Sequence, residues 1–267
     1  MASWAEKAKD LDQRLRLRGR PIAIKFLEKA EDVHSIPRLR KLEGKLTTCQ
    51  RFYLARMAGF TMAETALDSP PWCTYIMGLS EMPPEVASGE MTAGVWCQNQ
   101  EEARKRIESF PIIPPGKYEA MLISPLERER FEPEVVLIYG TPPQITLILS
   151  GLQFHKYQKR NFLYTGGSSC AVSVANCFLT QEPCLAIPDY GERRYGHALE
   201  DELMLALPAK DIETALAGLE GLAKAGLTYP PVFFGAQADP YFAFPTHYRD
   251  VYDREIAKAA KKSQKKK

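Results

Sequence analysis

Residues 119–155 read EAMLISPLERERFEPEVVLIYGTPPQITLILSGLQFH. Two short apolar runs, Glu119–Ser124 and Val135–Tyr139, have the length and β-branched content of strands. The charged stretch PLERERFEP joins them. Thr141-Pro142-Pro143 then opens a helix, with proline in the first turn where no N–H is missed. Ile145, Leu149 and Leu152 follow at helical spacing. Strands that mix with helices, without a regular βαβ alternation, point to an α+β fold rather than a parallel doubly wound sheet. Adjacent strands are free to pair as hairpins.

Working outward, residues 3–17 carry Trp4, Ala8, Leu11 and Leu15 at helical spacing. Pro21–Leu27 reads as a strand and 30–46 as a charged loop. Thr47 or Thr48 caps a helix that runs to Gly59. Further helices are expected near 70–78 and over Glu101–Phe110, with a loop over 80–95 between them. On the other side, a helix covers Cys170–Leu179, strands cover Cys184–Ile187 and Leu203–Leu207, and Lys210–Ala225 is a helix. Tyr229–Pro245, rich in aromatics and prolines, reads as an extended segment lying on the body. The expected organisation is a helical lobe with one early strand (1–110) and a mixed or antiparallel sheet with flanking helices (111–250). A disordered lysine-rich tail (251–267) completes it. The Pro-rich stretch 111–115 is the internal boundary.

The 267 residues are 45% hydrophobic and 25% charged, ordinary values that exclude a disordered or fibrous chain. Net charge is +2, but Lys258–Lys267 hold six lysines and no acid, so the rest of the chain is mildly acidic. That argues against nucleic-acid binding. No secretory leader and no membrane-length apolar run is read, and six cysteines are too few for a disulfide scaffold. The expected compartment is the reducing cytoplasm. A homo-oligomer is compatible with the sequence.

The cysteines are Cys49, Cys73, Cys97, Cys170, Cys177 and Cys184, and no CxxC occurs. Zinc-ribbon and ordinary ferredoxin spacings are absent. Cys49, Cys73 and Cys170 each fall at an expected helix start, where backbone N–H dipoles favour thiolate. Three such thiolates from separate segments could ligate a metal or a [4Fe–4S] cluster with one iron left open. The alternative is that they pack as small apolar residues. Cys97 and Cys184 read as packing residues. Gly166-Gly167-Ser168-Ser169, ahead of the Cys170 helix, can converge N–H groups on an anion, or can be a bland connection. In IPDYGERRYGHALEDEL (187–203), Arg193 or Arg194 could grip a carboxylate or phosphate and His197 could carry a proton; an exposed charged loop is the alternative. No GxSxG or HExxH motif appears.

Several blocks, in order, carry a resemblance: RPIAIKFL, LTTCQRFYLARMAGF, WCTYIMGLSEMP, LISPLERERFEPEVVLIYGTPPQ, GGSSCAV, and IPDYGERRYG ahead of DELMLALPA. Together they span most of 20–210 and resemble the DUF169 family of bacterial and archaeal proteins of unknown function. The resemblance implies cysteines at Cys49, Cys73 and Cys170 and a Gly-Asp-Arg-like element, here Gly191-Glu192-Arg193, where Glu192 departs from the pattern. It implies no reaction. Three functional expectations stand. The first is a cysteine-ligated metal or iron–sulfur protein acting on a small anionic molecule held by the glycine turn and Arg193. The second is a cofactor-free enzyme with a cysteine nucleophile for acyl or thioester substrates. The third is a non-enzymatic ligand-binding or accessory subunit.

Overall fold

The computed structural model describes residues 2–231, 241 and 246–264. Helix α1 (Trp4–Leu15) starts at a capping box in which Ser3 Oγ accepts from the Glu6 N–H and Glu6 accepts from the Ser3 N–H. Strand β1 (Ile22–Leu27) follows. Helix α2 (Thr48–Tyr53) runs on into a π-helical turn, Leu54–Ala58. Strand β2 (Met62–Thr65), short helices α3 (Pro71–Thr74) and α4 (Pro84–Ala87), and α5 (Gln100–Glu108) complete the first half. The second half runs β3 (Ala120–Pro125), β4 (Val135–Gly140), α6 (Pro142–Phe154), a π turn (Ala171–Ala175) leading into α7 (Asn176–Thr180), β5 (Cys184–Ala186), α8 (Tyr190–Tyr195), β6 (Leu203–Pro208) and α9 (Ile212–Lys224).

The six strands form one antiparallel sheet in the order β2-β3-β1-β4-β6-β5. The fold is α+β. The expected β3–β4 hairpin does not form, because β1 lies between the two, with Ile24 opposite Ile123 on one side and Val135 on the other. Nine connecting residues, 126–134, leave room for that insertion, and Glu134 fastens it by accepting from the Phe26 N–H at 2.7 Å. Strand β2 was not anticipated; four residues are too few to show a period. Since β1 and β2 precede the Pro-rich 111–115 and pair with strands beyond it, the two expected lobes share one sheet.

Both faces of the central strands are buried, which is why their sequences read as unbroken apolar runs. Alternate residues serve two layers. Ala23, Val136, Ile138, Leu205 and Leu207 face α1, α6 and α9. Ile22, Ile24, Phe26, Met121, Ile123, Val135, Leu137 and Tyr139 face the layer that carries the cysteines. Helices α6 and α9 meet backbone to backbone: a Cβ on Gly218 would lie 1.9 Å from the Gly151 carbonyl oxygen.

At the C-terminal end, Thr246–Gln264 form a helix, α10, where a disordered tail is expected. The aromatic-rich segment 229–245 lies largely outside the described residues. Among the described residues, no helix is long and apolar enough to cross a membrane.

Candidate functional site

Cys49, Cys73 and Cys170 line one cavity of about 210 Å³ on the cysteine-bearing side of the sheet. Larger clefts of about 620 and 430 Å³ open elsewhere, and neither is lined by a cysteine. Three local structures place these cysteines on the cavity wall. Thr47 caps α2, accepting from the Gln50 N–H at 3.1 Å, and sets Cys49 in the first turn. Pro70-Pro71 starts α3 and sets Cys73. The Gly166–Ser169 turn, with Gly166 and Ser168 in the left-handed region, delivers Cys170 to the start of its helix. The helices of Cys49 and Cys170 each contain a π turn close behind the cysteine, a distortion found often at functional sites.

The expected thiolates are not what burial produces. Burial raises all three thiol pKa values, Cys49 and Cys170 well above the ordinary value and Cys73 to about 12. Glu192, Cys170 and Cys73 add to the effect at Cys49. At Cys73, Glu64 adds, while the Thr48 N–H and hydroxyl and Arg51 oppose. Desolvation outweighs the helix dipole, because removing water from a charge costs more than one turn of peptide dipoles returns. Free of metal, the three sulfurs are neutral thiols. Among the described residues, no group of three or more His, Cys, Asp or Glu is arranged to hold a metal ion.

Behind Cys49 lies a buried polar chain. Glu192 is fully buried; burial lifts its pKa to about 7, against the pull of the Tyr139 hydroxyl and the Cys49 thiol. Tyr139 donates to Glu192 Oε1 at 2.8 Å, and Oε2 has no hydrogen-bond partner. Gly196 makes room for this side chain, since a Cβ there would stand 2.0 Å from Oε1. The Arg56 guanidinium sits 4.1 Å over the Tyr139 ring and pairs with both Glu202 oxygens at 3.0 Å. It also donates to the His197 carbonyl at 2.9 Å.

The anion-binding residues expected from sequence are placed as follows. Gly167 and Ser168 face the cavity. The Ser169 N–H donates to Asp189 Oδ2 at 2.8 Å, and the Asp189 N–H returns a bond to Ser169 Oγ at 2.6 Å, so an internal carboxylate takes the first N–H of that helix. The Gly166 carbonyl accepts from Arg106. Arg193 lies off the cavity wall and donates to the Pro188 and Leu199 carbonyls. The His197 ring stacks on Tyr53 with centroids 4.6 Å apart. Cys177 and Cys184 are core residues, and Cys97 is half-buried away from the cavity.

Sequence reasoning missed Arg106, Tyr75 and Trp96, which also line the cavity. Arg106 stands in a run of three basic residues on α5, where composition suggests a solvated face. The usable signal was the stripe Ala103, Ile107 and Phe110, all buried, on whose edge Arg106 lies.

Fold and site together define an antiparallel α+β protein with a three-thiol cavity on one face of its sheet. A family model described as Uncharacterised ArCR, DUF169, matches residues 10–218, and the chain belongs to that family. It is 23% identical over 221 residues, 80% of this chain and 93% of the relative, to Uncharacterized protein MJ0308 of Methanocaldococcus jannaschii. No solved structure matches the chain.

Proposed function

We propose that this is a cytoplasmic cysteine-ligated metal or iron–sulfur protein, with Cys49, Cys73 and Cys170 as ligands, working on a small anionic molecule. The observation that carries the reading is the convergence of these three cysteines, from distant segments, on one cavity. Neutral buried thiols suit a soft metal better than they suit free nucleophilic chemistry, because ligation itself removes the protons. A cluster spreads its thiolates over separate irons, which suits cysteines drawn from three segments. Once bound, a cluster supplies one-electron transfer and, with three protein ligands, an iron open to an outside ligand. The chain itself supplies a partly apolar wall and, in Glu192 beside Cys49, a carboxyl that, where ionised above about pH 7, can take up the proton released there.

Protein prepared without oxygen is expected to be brown, with broad absorption near ~400 nm and bound iron and sulfide. Cys49→Ser, Cys73→Ser and Cys170→Ser each lose most of the colour, while Cys177→Ser keeps it. Colourless preparations free of iron and sulfide overturn the reading.

The Cys49–Glu192 contact favours one other reading, a cofactor-free enzyme in which Glu192 is the base for a Cys49 nucleophile on acyl or thioester substrates. It requires Cys49 to alkylate far faster than the other thiols near neutral pH, and uniformly slow labelling excludes it.

A further inference from the structure

The cavity wall carries polar groups that the fold leaves unused. Tyr75 is only 3% exposed and lines the cavity, yet its hydroxyl has no hydrogen-bond partner among the described residues. Thr92 also lines it, and its buried hydroxyl has none either. Arg106 is the third. Its neighbours Arg104 and Lys105 are paired with Glu108 and with Glu101 and Glu102, but Arg106 has no acidic partner among the described residues. Its guanidinium lies over the Phe110 ring at 5.0 Å and the Trp96 ring at 5.4 Å, and one nitrogen donates to the Gly166 carbonyl at 3.2 Å. That leaves most of its five donors free. Tyr75, Arg106 and Cys170 line the same cavity. Trp72, Ile76, Val86, Met91, Ile107 and Phe110 give the wall its apolar part, and its one carboxylate, Asp189, is already engaged by the Ser169 and Glu192 N–H groups. Thr92 Oγ1 is buried and unpaired, Arg106 is half-buried, and donors left open on a cavity wall are where the acceptors of a ligand fit. An unpaired guanidinium with hydroxyl donors beside it, set in an aromatic wall, selects a carboxylate carried on an apolar body. The space equals about seven liquid waters at ~30 Å³ each, room for a one-ring acid.

We propose that Arg106, with the Tyr75 and Thr92 hydroxyls, binds the carboxylate of a small apolar acid, whose body lies against Trp96 and Phe110 beside Cys170. The assignment rests on this cavity being the working site, but not on a metal in it. It replaces Arg193 as the anion-gripping residue.

The test is equilibrium binding of benzoate, followed by quenching of tryptophan fluorescence, to full-length protein whose iron and sulfide content is measured in the same preparation. Benzoate is expected to saturate, and the uncharged benzamide to bind at least tenfold more weakly. Arg106→Gln weakens benzoate about ten- to a hundredfold and Tyr75→Phe several-fold, while Arg193→Gln leaves it unchanged. Equal affinity for the two probes, no saturable binding of benzoate, or an unchanged affinity in a folded Arg106→Gln variant overturns the proposal. Should that variant misfold, the benzoate–benzamide comparison on the parent protein still decides. Iron-loaded protein that binds both probes alike sinks this assignment and spares the metal reading. Iron-free protein that discriminates through Arg106 does the reverse.

Discussion

A single carboxyl illustrates how burial governs this site. Glu192 keeps its proton to about pH 7 in the folded chain, while in the unfolded chain it ionises near 4.5. Between those values the native state holds a proton that the unfolded state has lost. Stability of the metal-free protein therefore falls as pH rises from about 4.5 to about 7, then levels off. A shift of this size corresponds to a loss on the order of 3 kcal/mol. Glu192→Gln, which stays neutral, is expected to flatten the slope, read from urea midpoints across that pH range. Parallel curves for parent and variant would show that Glu192 is not the group responsible. The same physics explains why the cysteine trio was legible and its ionisation was not. Residues such as Thr47, Pro71 and Gly166 announce helix starts in the sequence, so the positions could be read. The depth of the site depends on tertiary packing, which reverses the dipole argument for each thiol. Arg106 and Tyr75 were illegible for a related reason: a lone arginine in a charged helix looks solvated until its neighbours are known.

At the scale of elements, most boundaries followed from local chemistry. The helices α1, α5, α6 and α9 and the strands β1, β3, β4 and β6 lie within a few residues of where caps, prolines and apolar runs put them. What failed was pairing. The charged stretch between β3 and β4 reads as a hairpin turn, and nothing local reveals that β1 comes between them. Strand β2, only four residues long, carries no periodic signal at all. The α6–α9 contact makes a sharper demand on sequence. With Gly218 against the Gly151 carbonyl, any side chain must separate the helices. Gly218→Ala is expected to destabilise by about 1–3 kcal/mol in thermal or urea unfolding, through overpacking, despite alanine's better helix propensity. An unchanged or raised midpoint would mean that the helices slide apart at no cost.

Over the whole molecule, the sheet has its two faces assigned to different work. The α1–α6–α9 face is aliphatic and carries no cysteine. The other holds the thiols, Tyr139, and the buried Arg56–Glu202 pair that fixes the ring Glu192 leans on. The C-terminal helix α10 stands apart from both layers: nearly all of its described side chains are exposed. Removing residues 246–267 is expected to leave the melting temperature within about 2 °C and the iron content unchanged, because little apolar surface leaves or enters water. A marked drop in either would reveal that the helix covers part of the body.

The position of β1 bears on how the chain is made. Its partners are Ala120–Pro125 and Val135–Leu137, about a hundred residues further on. A nascent chain therefore presents this greasy segment to the cell long before the ribosome has delivered anything for it to pair with. Docking α2 and its thiol on the sheet must wait for the same event. Folding is accordingly expected to be slow, with this strand unpaired in the interval.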